Sequence, residues 1–143
     1  MPRRRDRPTV RRLTPADHDV VDAVFTGMSP LSRYLRFHTP TPRLTAAMRR
    51  ALLAVDDRDR QALVAEVGPR PVGVAHLVRT GDGEGEVAFS VVDDWHRRGI
   101  GRLLLDRVAA LAVETGYRRL HAMVLPGNGA ALGLLRRSFP GAT

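Results

Sequence analysis

From residue 61 onward the chain shows two hydrophobic rhythms in turn. QALVAEV at 61–67, VGVAHLVR at 72–79 and EVAFSVV at 86–92 are short apolar runs rich in β-branched residues. Turn residues separate them, GPRP and then GDGEG. Runs of this kind predict three strands joined as an antiparallel meander. From Leu103 the rhythm changes. Leu103, Leu104, Leu105, Val108, Leu111 and Ala112 recur at helical spacing, and Gly116 is placed to stop that helix. Leu120 to Leu125 reads as a further strand. It follows a strand–helix crossover, so it is expected to run parallel to 86–92. A last helix is expected from Ala130 to Arg137, after Pro126-Gly127-Asn128-Gly129.

The first sixty residues read mostly as helices. Val10 to Leu13 predicts a short strand. Thr14-Pro15-Ala16-Asp17 has the form of a helix start: a capping hydroxyl, proline in the first turn, and an acid three residues after the cap. Val20, Val21, Val24 and Phe25 then give an apolar face. Ser29-Pro30 opens a second helix, in which Tyr34, Leu35 and Phe37 are expected to pack while Arg33 and Arg36 face solvent. A third helix is expected through Met48, Leu52 and Leu53, ending before Asp56-Asp57. The order β, αα, βββ, α, β, α describes an α+β fold with a mixed central sheet.

Composition narrows this picture. With 143 residues and 43% hydrophobic content the chain suits one globular domain. No apolar run approaches the roughly 20 residues that span a bilayer, and MPRRRDRPTVRR has no signal-peptide core, so a cytoplasmic location without membrane contact is expected. Cysteine is absent, which removes disulfides and thiolate nucleophiles. His18, His38, His76, His96 and His121 show no ligand spacing such as HxxxH, so no metal is expected. His76 and His121 read as strand residues that pack or hydrogen-bond, with His121 kept as a minor candidate. The net charge is +8 and every basic side chain is arginine. Six Arg against one Asp fall in residues 1–12, so most of that charge sits at the start. We read 1–9 as a basic flexible arm and 10–143 as a single domain. Without a basic–aromatic stripe, nucleic acid is not the expected partner.

The chemistry concentrates between Glu86 and Leu105. Asp93 and Asp94 end the strand, and Arg97-Arg98-Gly99-Ile100-Gly101-Arg102 leads directly into the helix. A helix start has backbone N–H groups without partners and carries the positive end of the helix dipole. Glycines allow a ligand close to those amides, and guanidinium groups match phosphate oxygens. The turn therefore reads as a pyrophosphate cradle. A nucleotide P-loop, GxxxxGK[ST], is excluded because the chain has no lysine. A dinucleotide fingerprint lacks its third glycine, where Leu104 stands.

The segment resembles the acyl-CoA loop of the GNAT N-acetyltransferase superfamily, [Q/R]xxGxG[A/G], with His96 in the first position and Arg102 in the last. The order of elements from about residue 8 to 138 resembles the same fold, without the C-terminal strand pair usual in it. A second subunit, as in a homodimer, could complete that sheet edge. The resemblance implies acetyl-CoA as acyl donor, held by Arg97, Arg98, Gly99, Ile100, Gly101 and Arg102. It also implies contacts from the backbone of Val91 and Val92 to the pantetheine and acetyl carbonyl, and a place for Asn128 near CoA. Asn128 reads equally as a helix cap. The resemblance further implies a glutamate base, here Glu86, whose partial burial would raise its pKa. The alternative is a charged residue closing the turn, with Glu84 its neighbour. Leu135 stands where many relatives carry a tyrosine acid, so the general acid is unassigned or supplied by solvent. MSPLSRYLRF at 28–37 and DRDRQALVAEV at 57–67 resemble the bacterial subgroup that acetylates protein lysines, including those of acyl-CoA synthetases. A small-amine acetyltransferase and a non-catalytic acyl-CoA-binding regulatory module are the other readings carried forward.

Overall fold

The computed structural model describes residues 7–125, 127–139 and 141. Five strands form one sheet in the order β1 (Pro8–Arg12), β2 (Arg60–Val67), β3 (Arg70–Gly81), β4 (Glu84–Val91), β5 (Arg119–His121). The first four pair antiparallel and β5 pairs parallel to β4. Helices α1 (His18–Thr26), α2 (Pro30–Phe37) and α3 (Ala46–Leu53) precede β2. Helix α4 (Ile100–Glu114) forms the crossover, and α5 (Gly129–Ser138) follows β5. The meander, the crossover and the parallel partner are those expected from the sequence.

The sheet separates two cores. On one face Leu63, Ala65, Ala75, Leu77 and Val87 pack against Ile100, Leu104, Leu105, Val108 and Leu111 of α4. Leu104 and Leu105 are fully buried, and each contributes roughly 1.5–3 kcal/mol through burial. On the other face Ala62, Val64 and Val74 pack against Val20, Val21 and Val24 of α1, Leu53 of α3 and Met28. The period of two along each strand therefore assigns neighbouring residues to different helices.

Several boundaries differ from expectation, each for a local reason. Pro8 and Thr9 pair with Val67 and Glu66, so the sheet takes the last two residues of the presumed arm. Residues 1–6 lie outside the described residues. Arg11, exposed on β1, bridges Asp17 (3.0 Å) and Glu66 (2.7 Å). The Thr14 start is displaced to Asp17: the Thr14 N–H donates to the Asp17 carboxylate (2.7 Å), and the helix begins at His18. Thr14 and Asp17 thus make one arm of a capping box without Thr14 being the cap. The expected strand 120–125 shortens to Arg119–His121. Its register reaches only Glu86↔His121, and the two strands then separate.

Helix α2 also turns out differently. Its Ser29 cap is as expected, the hydroxyl accepting from the Ser32 N–H (3.1 Å). Its arginines do not face solvent. Arg33 donates to the Phe25 carbonyl (3.0 Å) and lies 4.0 Å above the Phe25 ring, while Tyr34 is exposed. Arg36 turns toward β4, as described below.

Candidate active site

The parting of β4 and β5 makes the site. β4 continues five residues beyond Glu86, whereas 122–125 run on without a strand partner. A cavity of about 490 Å³ fills the opening, lined by Val87–Val91 on one side and Ala122–Val124 on the other. The start of α4, the start of α5 and α2 close its remaining walls.

At one end lies the glycine–arginine turn. Leu103 is the first residue of α4 whose N–H bonds back, to the Gly99 carbonyl (3.0 Å). The amides of Ile100, Gly101 and Arg102 precede that bond, and Gly99 supplies no side-chain cap. Unpartnered amides at the positive end of a fifteen-residue helix form an anion site. Gly99 has φ +84° and nothing within 4 Å of a would-be Cβ, so its need is conformational. Gly101 is different, because a Cβ there would lie 2.8 Å from Leu134 Cδ1. Its absence of side chain lets α4 and α5 approach.

The three arginines separate. Arg97 and Arg102 line the cavity, and Arg102 also pairs with Asp106 (3.1 Å). Arg98 does not: its guanidinium stacks 4.8 Å from the Trp95 ring centroid. Ile100 is buried in the core and also belongs to the cavity lining.

The strand pair splits in the same way. The Val92 N–H donates to the Val72 carbonyl (2.9 Å), its carbonyl accepts from the Trp95 N–H (2.9 Å), and its side chain packs in the α1 core. Every polar group of Val92 is occupied, so it is not available to the cavity. Alternation of an antiparallel ladder then turns Val91 the other way, into the opening. Its carbonyl accepts from His96 Nε2–H (2.8 Å), which fixes the tautomer of that ring, while its N–H points into the gap. Asn128 is both things the sequence suggested: it caps α5, accepting from the Ala131 N–H (3.2 Å), and it lines the cavity.

Glu86 stands one residue before the first β4 residue of the lining. It is exposed, contrary to the expected partial burial, and is opposite His121 in register. It shares the α2 face of β4 with Ala88 and Ser90, since Val87 points to the α4 core. His121 is exposed and outside the lining. His76 is a packed residue, as expected: Nε2–H donates to the Leu52 carbonyl (2.9 Å), and burial drops its pKa to about 4. Leu135 lines the cavity, so no tyrosine hydroxyl stands at that point. Trp95, Arg137 and Arg36 belong to the lining and were not singled out from sequence. For Arg137 the available signal was a basic residue in the last turn of an amphipathic helix beside the loop. Among the described residues no cluster of three or more His, Asp or Glu could hold a metal ion, and no helix is long and apolar enough to cross a membrane.

Comparison with known proteins agrees with the fold. The GNAT domain of S. lividans PAT superposes with a TM-score of 0.86 at 33% identity, covering 91% of this chain and 79% of that one. An acetyltransferase of Pseudomonas aeruginosa is 24% identical over 126 residues, 85% of this chain and 68% of its own. A cAMP-binding acyltransferase from Mycobacterium smegmatis matches at 30% identity with a TM-score of 0.61, and this chain spans only 38% of its length. The family model for the acetyltransferase (GNAT) family matches residues 29–139, and the chain belongs to that family of N-acetyltransferases.

Proposed function

We propose that the chain transfers the acetyl group of acetyl-CoA to a lysine side chain of another protein, by direct attack in a ternary complex. The observation that carries this is the continuous opening from the unpartnered α4 amides, past the Val91 N–H, to the α2 face of β4. A diphosphate matches the amides together with Arg97 and Arg102. The pantetheine arm lies against apolar walls, and the Val91 N–H meets the oxygen on which charge develops. The amine nitrogen attacks the thioester carbon and the C–S bond breaks. The sulfur leaves as thiolate and takes up a proton from solvent, since Leu135 offers none.

A lysine amine is protonated at neutral pH, with pKa about 10.4. Glu86 is the base in this reading, and its exposure means it receives the proton through a water. Replacing a general base costs about 10²–10⁴-fold in rate. We expect Glu86→Gln to lower kcat by that order while acetyl-CoA affinity holds. Unchanged turnover would remove Glu86 from the mechanism.

The choice of a protein lysine rests on the likeness to the S. lividans protein acetyltransferase domain. The test is labelled acetyl-CoA with lysine-containing peptides against a panel of small amines. The chain itself contains no lysine, so any acetyl-lysine formed belongs to the acceptor. Labelling of small amines alone would replace lysine by a small-molecule acceptor. Binding of acetyl-CoA with no transfer at all would leave a regulatory module. The +8 chain and its early arginines suit an intracellular acidic partner, and a cytoplasmic setting accompanies this proposal.

A further inference from the structure

Arg36 is a charged side chain of the cavity that the mechanism leaves unused. It lies between two cavities. It lines the large one with Met28, Ser32 and Leu35, and a smaller one beneath α2 with Phe25, Phe37, Val74 and His76. The other arginine of α2 shows what this fold does with a guanidinium it holds for itself. Arg33 donates to the Phe25 carbonyl through two nitrogens (3.2 and 3.0 Å) and to the Pro42 carbonyl (3.2 Å). Arg36 makes no hydrogen bond or ion pair among the described residues, and its close neighbour is the Phe37 ring, 4.8 Å from the guanidinium carbon. Burial pulls its pKa below the usual arginine value, and the charge of Glu86 on the facing strand works in the other direction.

A guanidinium held largely out of water without a partner is costly. Five N–H donors in a fixed fork remain free for a planar anion. The direction in which they can be used follows from the sheet. Glu86, Ala88 and Ser90 share the face of β4 that looks toward α2. Arg36 and Glu86 therefore flank the same acceptor side of the opening, one cationic and one anionic. A molecule seated there with its amine toward Glu86 presents its other end to Arg36.

We propose that Arg36 receives a carboxylate borne by the acceptor itself, so that the enzyme selects amines with a carboxylate on the same molecule. This rests on the acetyl-transfer reading above for the identity of the site. The carboxylate has two sources, an Asp or Glu beside the lysine in a polypeptide, or the carboxylate of a free amino acid.

Calorimetry in the presence of CoA tests it without relying on turnover. One pair of probes is a blocked lysine peptide with Asp beside the lysine and its Asn counterpart. The other is 6-aminohexanoate and its amide. For the wild-type chain the carboxylate member of at least one pair is expected to bind about tenfold tighter, a charge-assisted bidentate contact being worth that order. Preference in the peptide pair alone identifies an acidic neighbour of lysine; preference in the small pair alone identifies a free amino acid. Arg36→Gln should abolish the preference and leave CoA affinity intact. Arg36→Met, which keeps the apolar stem, serves the same comparison if Arg36→Gln folds poorly. Equal binding of carboxylate and amide by the wild type, or a preference that survives both substitutions, overturns the proposal. A preserved preference with no acetylation of any probe would sink the choice of acceptor and leave the anion site standing.

Discussion

Gly99 and Gly101 are two residues apart and do different work. At Gly99 the backbone is left-handed, φ +84°, where an L side chain costs about 1–2 kcal/mol. The space around it is open, so alanine there would strain the turn without meeting a neighbour. Gly99→Ala is expected to reorient the amides of residues 100–102 and weaken acetyl-CoA binding about tenfold. A titration of acetyl-CoA checks this, and unchanged affinity would show that the amides are not the anchor. At Gly101 the backbone is ordinary helix and the obstacle is Leu134 Cδ1, 2.8 Å from a would-be Cβ. Gly101→Ala should therefore lower stability by about 1 kcal/mol, as overpacking does. Combining it with Leu134→Ala should recover part of that loss. A double-mutant cycle in denaturant measures the coupling, and simple additivity would place the obstacle elsewhere.

At the scale of elements, the site depends on how α2 is held against the end of β4. The Asp93 N–H donates to the Gly27 carbonyl (3.0 Å), and its carboxylate accepts from the Ser29 N–H (3.0 Å). This short 3₁₀ turn, Asp93–Trp95, thus ties the cap of α2 to the loop that carries His96. A hydrogen bond to a charged group contributes about 1.5–3 kcal/mol. Asp93→Ala is expected to cost that much locally and to raise amide exchange across α2 more than across α4. Uniform exchange in both helices would refute the tie. The sequence showed the strands, the meander and the loop, because those follow from local periodicity and turn residues. It could not show the Asp93 strut, which joins residues sixty-four positions apart. The inward turn of Arg36 was equally hidden, since helical spacing fixes which positions share a face but not which face meets β4. The shortening of β5 has the same origin: 120–125 is apolar enough for a strand, and only the divergence from β4 leaves it unpaired.

For the whole molecule, two titrating groups set different acid limits. His76 is half-buried beside α3 and has its pKa depressed to about 4, mainly by lost hydration, with Arg36 adding to the effect and the Leu52 carbonyl opposing it. The unfolded chain takes up this proton near pH 6.5, the folded chain only near 4. Between those values the unfolded state binds more protons, so stability falls as pH drops, by up to roughly 3 kcal/mol, and levels off below 4. Asp17 works in a lower window. Its pKa is pulled to about 2, chiefly by the Arg11 guanidinium, so its contribution is complete above about pH 4 and lost as pH falls through 2. Denaturant midpoints measured from pH 7 to pH 2 should therefore fall in two steps. His76→Gln keeps a donor for the Leu52 carbonyl but has no proton to gain. It should flatten the step between pH 6.5 and 4 and leave the lower one in place. A wild-type-like upper step in His76→Gln would assign that acid sensitivity to another group, and the neutral imidazole would lose its role in the stability of the sheet.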